Sequence, residues 1–331
     1  MNAVASPGTG QRLLPDDASW ITEIAAAAAG NADLAIEAAR VVGERLPLPG
    51  GGHTAMRWHL LAEAAAADLT VGRVLEAHAD ALAILAEAGV TPVPGAWGVF
   101  AAEAPGSRLD AVEVGGAYRV NGVKPWCSLG GQLDRALVTA HEGDTRRLFA
   151  VDLHHASVRP SPAEGWVSRG LSAVPSGPVE FDASPASPVG DPGWYLRRAG
   201  FARGGIGVAA CWFGGAAELH RTLMQRGRSG DLTDLHLGAI DVALHGAAAT
   251  LRDAARTVDA GEDSWLLALR ARSVVAAAAE LTLLHVGHAL GPAPLSFDEE
   301  YARRVADLQI YVRQHHGERD LAATGREVRG Q

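Results

Sequence analysis

Two adjacent histidines near the carboxyl end of the chain are candidates for proton transfer. His315 and His316 follow Val312 by three and four residues, so both continue the inward face of the last helical pattern if that helix persists. An unperturbed imidazole titrates near pH ~6.5, which suits it to move protons at neutral pH. The ordinary alternative is a pair of core histidines. Glu318 is the nearest carboxylate and could orient or replace the histidine, although on a helix it would face solvent beside Arg319.

Two other features suggest chemistry and also have simpler interpretations. The run from Gly204 to Gly207 is rich in glycine, but no suitable strand precedes it with an acidic residue ~20 positions on, as a dinucleotide loop requires. We interpret it as close helix packing. Trp126 could be a strand aromatic that only packs on the helices. Neither the cysteines nor the histidine pairs have the spacing of a metal site, so no metal is predicted.

The elements that must position these residues form three blocks after a short arm. Residues 1–15 are rich in Gly, Pro, Ser and Asn, which predicts a flexible arm. Alanine-rich stretches with Gly and Pro breaks predict an N-terminal helical domain over 16–91. Short β-branched runs between turn residues predict a middle β domain over 92–192, and renewed helical periodicity predicts a C-terminal helix bundle over 193–331.

Turn and cap residues predict several element boundaries. Gly115-Gly116 and Asn121-Gly122 favour two-residue hairpins, so a three-stranded meander is predicted over residues 111–126. Ser264 is placed to cap a helix that runs toward Gly287, and Asp298 is placed to cap the last helix. Further strands are predicted at 135–140, 147–152 and 179–181.

The composition excludes several classes of protein. The formal net charge is −9 and the arginines are scattered among acidic residues, which argues against nucleic-acid binding. There are two cysteines, and no CxxC pair, so a disulfide framework is not indicated and a reducing cytoplasm fits. The start lacks a signal-peptide pattern, and no apolar run approaches ~18 residues. We therefore expect a cytoplasmic protein without a membrane partner.

Four local motifs resemble those of the acyl-CoA dehydrogenase superfamily, over about residues 93–325. Residues 97–103 look like the strand that ends in Thr-Glu-Pro, and 118–128 are similar to the Asn-Gly-x-Lys-x-Trp-Ile-Thr/Ser segment. Residues 170–182 resemble the Gly-Met-Arg segment with its following strand. Residues 307–311 resemble the region ahead of the last helix. The resemblance implies an α+β, mostly helical fold: a shortened helical domain, a small β-barrel and a four-helix bundle.

The same resemblance implies roles for individual residues. In the family the tryptophan packs beside the flavin ring and the hydroxyl residue approaches its polar edge, which assigns these roles to Trp126 and Ser128. Counting forward from Asp307 without a gap, the catalytic glutamate of the family falls on His315, with His316 next to it. A flavin-dependent monooxygenase branch also carries a histidine in this part of its last helices.

Several positions depart from the family pattern around the cofactor. Ala102 replaces the threonine before Glu103, and the pyrophosphate arginine is represented only by Arg226. Of the glycine-rich nest only Gly291 survives, while His288 introduces a side chain where backbone amides must approach phosphate. FAD is the expected cofactor, with FMN as the alternative, and Glu103, Arg226 and Gly291 are the further candidate cofactor residues.

Three functions follow as expectations from the resemblance. The first is oxidation or desaturation of an acyl thioester carried on CoA or a carrier protein, with His315 as the proton-transfer group. The second is flavin-dependent monooxygenation of a small aromatic or natural-product substrate, which requires a reductase or other electron-transfer partner. The third is a non-catalytic binding or assembly subunit whose flavin site is eroded. A homo-oligomer, dimer or tetramer, is expected in each case.

Overall fold

The computed structural model describes residues 12–262 and 264–330 and begins with a set of helices. They are α1 (Ser19–Ala27), α2 (Ala32–Gly43), α3 (Thr54–Ala67) and α4 (Leu69–Glu87). Asn31 and Asp68 cap α2 and α4, because each side chain accepts a hydrogen bond from a backbone N–H three residues later. Residues 1–11 of the predicted arm lie outside the described residues. Leu13, near the end of that arm, is buried in the core.

A closed sheet follows the first helices. Its strands are β1 (Trp97–Phe100), β2 (Leu109–Val114), β3 (Ala117–Lys124), β4 (Arg135–Glu142), β5 (Thr145–Asp152), β6 (Val158–Pro160) and β7 (Val179–Val189). The order runs β4-β2-β3-β7-β5, and β5 pairs back with β4, so the sheet forms a small barrel. Strand β1 lies parallel to β4, and β6 pairs with β7.

One of the two predicted hairpin turns is confirmed and the other is wrong. Gly115 and Gly116 have φ of 62° and 80° and join β2 to β3. Asn121 and Gly122 lie inside β3, at a bulge in its pairing with β7, so the predicted three-stranded meander is a two-stranded hairpin. Gly122 is required there because an added Cβ would lie 2.2 Å from the Arg108 carbonyl oxygen.

The rest of the chain is helical. Its helices are α5 (Trp194–Arg197), α6 (Ala199–Arg226), α7 (Asp231–Asp259), α8 (Trp265–Leu290), α9 (Pro292–Phe297), α10 (Glu299–Tyr311) and α11 (Glu318–Arg329). Ser264 and Asp298 cap α8 and α10, as predicted. The helix that begins after Asp298 is not the last, because α11 follows it.

Close packing of α6 explains the glycine-rich run. Residues 204–207 lie within this helix, and a Cβ on Gly204 would lie 2.7 Å from an oxygen of the Asp80 side chain. A Cβ on Gly214 would lie 2.0 Å from the Ala62 carbonyl oxygen of α3. Small residues therefore let α3 and α4 approach α6, as predicted, and the run is not a nucleotide loop.

Helix α8 is the most apolar long helix of the bundle. Among residues 12–262 and 264–330 it alone is long and apolar enough to cross a membrane, a test that the core helices of soluble proteins also pass. It packs against α6 and α7 and carries the buried Arg272. These contacts make it part of the bundle.

Candidate active site

His315 and His316 lie in a loop between α10 and α11. A short 3-10 turn over Val312–Gln314 follows α10, and Gly317, with φ of 56°, redirects the chain before α11. The expected continuation of the inward helix face is therefore wrong. The loop places both imidazoles around one carboxylate: Nδ1 of His316 is 3.2 Å from Asp320 Oδ1, and Nε2 of His315 is 3.7 Å from Asp320 Oδ2.

The environments of the two imidazoles differ. The His315 side chain is 11% exposed, its ring lies edge-on to Trp212, and its Nε2 is 3.1 Å from Ser273 Oγ. Burial lowers the pKa of His315, so the ring is neutral at pH 7 and can accept a proton. The His316 side chain is 65% exposed. Burial alone would raise the pKa of Asp320, but the hydrogen bonds from His316 outweigh this effect and lower it. Asp320 therefore stays ionised beside His315.

The loop that carries Trp126 is strained. Trp126 and Leu129 have φ of 58° and 56°, a left-handed conformation that costs residues with a side chain on the order of 1–2 kcal/mol each. A second loop, residues 161–178 between β6 and β7, holds this conformation. The Cys127 N–H donates to the Gly177 carbonyl of this loop at 2.9 Å. Strain of this kind concentrates at functional sites.

Trp126 and Ser128 present an aromatic ring and a hydroxyl from that strained loop. The Trp126 residue is 59% exposed, and its ring packs edge-on against Trp166 with the centroids 6.5 Å apart. Ser128 Oγ is 2.8 Å from Ser176 Oγ in the second loop. The buried alternative for Trp126, a strand aromatic packed on the helices, is therefore wrong.

The second loop joins the barrel to helix α10. The Leu171 N–H donates to Asp307 Oδ1 at 2.6 Å, and Trp166 Nε1 donates to the Leu171 carbonyl at 3.1 Å. A Cβ on Gly170 would lie 1.9 Å from the Ala306 carbonyl oxygen, so only glycine allows this approach. Burial raises the pKa of Asp307 to about 6. These contacts bring the Trp126 loop next to the C-terminal helices.

Arg73 of α4, which the sequence reasoning missed, lies between the two predicted groups. Its Nη2 donates to Ser128 Oγ at 3.3 Å, and its guanidinium lies 5.9 Å from the centre of the Tyr311 ring. Tyr311 packs edge-on against Trp212, which in turn contacts the His315 ring. Arg73 and the two buried rings therefore lie between the barrel serine and the loop histidine, which make no direct contact.

Behind Arg73 lies a cluster of buried charges that sequence reasoning also missed. Arg73 Nη1 donates to Glu76 Oε2 at 3.2 Å, and Arg57 and Arg272 also act on Glu76. Burial raises the pKa of Glu76 to about 7 and raises the pKa of Asp80 as well. The sequence contains one sign of this cluster: charged residues at 73, 76 and 80, three and four positions apart, lie within a predicted helix that is otherwise mostly apolar.

The other predicted cofactor residues each have partners of their own. Glu103 accepts a hydrogen bond from the buried Lys124 Nζ at 2.8 Å. Burial alone would raise the pKa of Glu103, but the contact with Lys124 outweighs this effect and lowers it. Arg226 pairs with the Asp298 carboxylate. Gly291 ends α8 with φ of 68°. No hydrogen bond or ion pair among the described residues joins these three to one another, and their cofactor roles stay predictions.

The strained loop fits a flat aromatic ligand better than the other positions fit a phosphate. Trp126 is 59% exposed, and Ser128 follows it by two residues in the same loop, so a flavin ring could pack on the first and hydrogen-bond to the second. Arg226 already uses its charge on Asp298, and the chain around Gly291 is a helix end. The residues present therefore fit the ring of a flavin.

Thiol and metal chemistry have little support in the described part of the chain. Burial raises the pKa of Cys127 to about 12 and raises the pKa of Cys211, so both thiols stay protonated. Among residues 12–262 and 264–330 no group of three His, Cys, Asp or Glu side chains has the arrangement of a metal site.

Comparison with known proteins finds similar structures but no similar curated sequence. No protein-family model and no curated protein sequence matches the chain. Butyryl-CoA dehydrogenase from Megasphaera elsdenii matches with a TM-score of 0.79 and 18% identity, covering 95% of this chain and 98% of that one. Glutaryl-CoA dehydrogenase from Mycobacterium smegmatis, solved in complex with FADH2, matches with a TM-score of 0.78 and 16% identity, covering 96% of each chain.

A monooxygenase is among the similar structures as well. TdsC from Paenibacillus sp. A11-2, a dibenzothiophene monooxygenase solved with FMN and indole, matches with a TM-score of 0.77 and 17% identity. The match covers 93% of this chain and 95% of that one. Each match covers nearly the whole of both chains, so it includes the N-terminal helices, the barrel and the bundle together. The chain therefore has the acyl-CoA dehydrogenase fold, as the sequence motifs predicted.

Proposed function

We propose that the protein is a flavin-dependent oxidoreductase that holds the ring of FAD or FMN against Trp126 and Ser128. The observation that carries this proposal is the exposed Trp126 on strained backbone, in the same loop as Ser128 and next to the loop that contacts helix α10. The similar structures that contain FMN or FADH2 support it. The altered positions around Arg226 and Gly291 favour FMN over the longer dinucleotide.

The residues around Ser128 would bind and orient the flavin. When bound, the flavin would supply the two-electron oxidation and reduction that the side chains cannot perform. Ser176 and Arg73 fix the Ser128 hydroxyl, whose Oγ lies 2.8 and 3.3 Å from them. The positive charge of Arg73 stabilises negative charge that develops near the hydroxyl.

His315 would accept the substrate proton. Its ring is neutral because burial lowers its pKa, and the ionised Asp320 3.7 Å from Nε2 stabilises the imidazolium once it forms. His316 is a positioning residue, since its backbone N–H and its ring both contact the Asp320 carboxylate. The sequence neighbour Glu318 is exposed and takes no part.

Absorbance of the purified protein tests flavin binding. Bound flavin gives the protein a visible absorption spectrum, and Trp126→Ala weakens flavin affinity by roughly tenfold because the stacking contact is lost. Trp265→Ala, which removes another partly exposed tryptophan, leaves the affinity unchanged. Colourless protein that takes up neither FAD nor FMN contradicts the proposal.

Turnover tests the role of His315. His315→Ala lowers the turnover number by roughly a hundredfold or more, the usual contribution of a general base, whereas His316→Ala has a smaller effect. The wild-type rate is constant above neutral pH and falls in acid, where the imidazole becomes protonated. Undiminished turnover of His315→Ala would show that another group moves the proton.

Two reactions fit this site and are separated by one experiment. Anaerobic mixing with acyl-CoA thioesters bleaches the flavin if the protein is a dehydrogenase. Reoxidation by oxygen with a hydroxylated product, driven by a reductase partner, identifies a monooxygenase.

A non-catalytic assembly subunit is the second candidate function. The Arg226–Asp298 pair favours it, because the side chain expected to bind phosphate is already neutralised. Exposed apolar side chains on α7 and α9, including Leu232 and the 91% exposed Phe297, support a homo-oligomer in either case. Light scattering of the purified protein measures the mass, and a monomer at micromolar concentration contradicts the oligomer.

A further inference from the structure

Arg272 joins helix α6 to the turn that carries His315. The residue lies on α8 and is buried. Its Nη1 donates to the Gly205 carbonyl of α6 at 2.7 Å, and its Nη2 donates to the Gln314 carbonyl at 2.7 Å. Gln314 ends the 3-10 turn and immediately precedes His315. The guanidinium therefore fixes the backbone one residue before the proposed base.

The contacts of Arg272 support His315 from two directions. The Gln314 carbonyl lies at the end of a turn, where carbonyl groups lack partners within the turn, so the bond from Arg272 stabilises it. On the other side, the guanidinium carbon lies 5.0 Å from the centre of the Trp212 ring, and that ring lies edge-on to the His315 ring. A Cβ on Gly205 would lie 3.5 Å from Arg272 Cδ, so the side chain packs directly on the backbone of α6. Arg272 therefore fixes both the backbone before His315 and the ring against which the imidazole packs.

The charge of Arg272 acts on the proposed base as well. An arginine stays protonated in proteins, so this positive charge is permanent. Burial lowers the pKa of His315, and the charge of Arg272 lowers it further. His316 acts in the same direction as Arg272, whereas Asp320 and Glu280 act in the opposite direction. The same positive charge also favours the ionised form of Asp320, which contacts His315.

We infer that Arg272 is a positioning residue for His315: it holds the turn that carries the imidazole, and its charge keeps the ring ready to accept a proton. This inference rests on the proposed function only in treating His315 as the base. An arginine that merely supported the fold would leave the proton affinity of His315 unchanged when it was replaced. A positioning arginine sets that affinity, because its charge lies close to the ring in a partly buried environment.

Histidine NMR titration of the purified protein tests the inference, with the His315 resonance assigned by its loss in His315→Ala. Arg272→Gln raises the proton affinity of His315 by at least about threefold, because a nearby positive charge is lost. The matched control is Arg304→Gln, which removes another buried arginine that donates to backbone carbonyls, those of Ala66 and Ala67. This control keeps the wild-type proton affinity of His315. Unchanged affinity in Arg272→Gln, or an equal change in both variants, overturns the inference.

Arg272→Lys covers the case in which Arg272→Gln does not fold. Lysine keeps the charge, so the proton affinity of His315 stays within about twofold of the wild-type value, but one amino group cannot replace a fork that reaches two carbonyls. The His315 amide, which donates to the Val312 carbonyl, therefore exchanges its hydrogen at least about threefold faster than in the wild-type protein. Unchanged exchange would show that the turn does not need Arg272 and would overturn the inference.

The two hypotheses about His315 fail separately. Colourless protein that takes up no flavin and still shows the effects of Arg272 substitution contradicts the proposed function alone. Flavin-containing protein in which the Arg272 variants leave both the proton affinity and the amide exchange of His315 unchanged contradicts this inference alone.

Discussion

Glu76 is a carboxyl group surrounded by arginines, and yet it is partly protonated at neutral pH. Burial raises its pKa to about 7, because the loss of hydration outweighs the attraction of Arg73, Arg57 and Arg272. Asp80, a like charge nearby, adds to the shift. The protonated form is therefore the one that the folded protein stabilises.

This residue makes stability depend on pH in a defined direction. The folded pKa lies above the unfolded value, so the folded state binds more protons and the free energy of unfolding falls as pH rises from about 4.5 to about 7. Glu76→Gln imitates the protonated form and removes this decrease in the free energy of unfolding, which is on the order of 3 kcal/mol. Urea denaturation at several pH values measures it.

The control for this prediction is a glutamate without burial. Glu23→Gln, on the exposed face of α1, leaves the pH dependence of unfolding as in the wild-type protein. If Glu76→Gln showed the same dependence as Glu23→Gln, then Glu76 would be ionised throughout the range, and the account of the buried cluster would be wrong.

At the scale of elements, His78 joins helix α4 to the first strand. Its Nδ1 accepts a hydrogen bond from the Trp97 N–H at 3.1 Å, at the start of β1. Burial lowers the pKa of His78 to about 4, because the protonated ring would lose both hydration and its acceptor nitrogen. The contact therefore requires a neutral imidazole.

The effect of His78 on stability has the opposite sign to that of Glu76. Between pH 6.5 and about 4 the unfolded state binds more protons, so the free energy of unfolding decreases as pH falls through this window, by about 3 kcal/mol. His78→Asn keeps an acceptor but cannot be protonated. Its unfolding free energy declines less in acid, measured as a slope against pH, and an unchanged slope would exclude His78 as the cause.

At the scale of the whole molecule, the loop after Trp166 connects the barrel with the C-terminal helices. Gly170 lies against the backbone of α10, where an added Cβ would be 1.9 Å from the Ala306 carbonyl oxygen. The adjacent Leu171 N–H donates to Asp307. Because the same loop supports Trp126 and Ser128, this contact couples the stability of the barrel–bundle junction to the candidate flavin site.

Substitution of Gly170 tests that coupling. Gly170→Ala forces the loop away from α10 and lowers the free energy of unfolding by about 1–3 kcal/mol, as overpacking does elsewhere. Flavin affinity falls in the same variant. Gly165→Ala, where an added Cβ meets no atom within 4 Å, leaves both quantities unchanged. Flavin titration and chemical denaturation measure the two effects, and a stable Gly170→Ala protein with normal affinity would show that the contact is dispensable.

The elements that local sequence determines were predictable. Ser264 and Asp298 cap their helices because a capping side chain bonds to an N–H three residues away. Gly115 and Gly116 form a hairpin because both must take positive φ. The family motifs added the order of helices, barrel and bundle, which the similar structures confirm.

Only the tertiary structure decided how the site is assembled. Gly122 has its role from a contact with Arg108 across the strand, and the carboxylate near His315 is Asp320 because Gly317 turns the chain. Arg73 and Ser128 are 55 residues apart, and their contact depends on how α4 packs on the barrel. Hydrogen bonds within a turn are set by neighbours in sequence, whereas burial, pKa and long-range contacts depend on which surfaces the fold brings together.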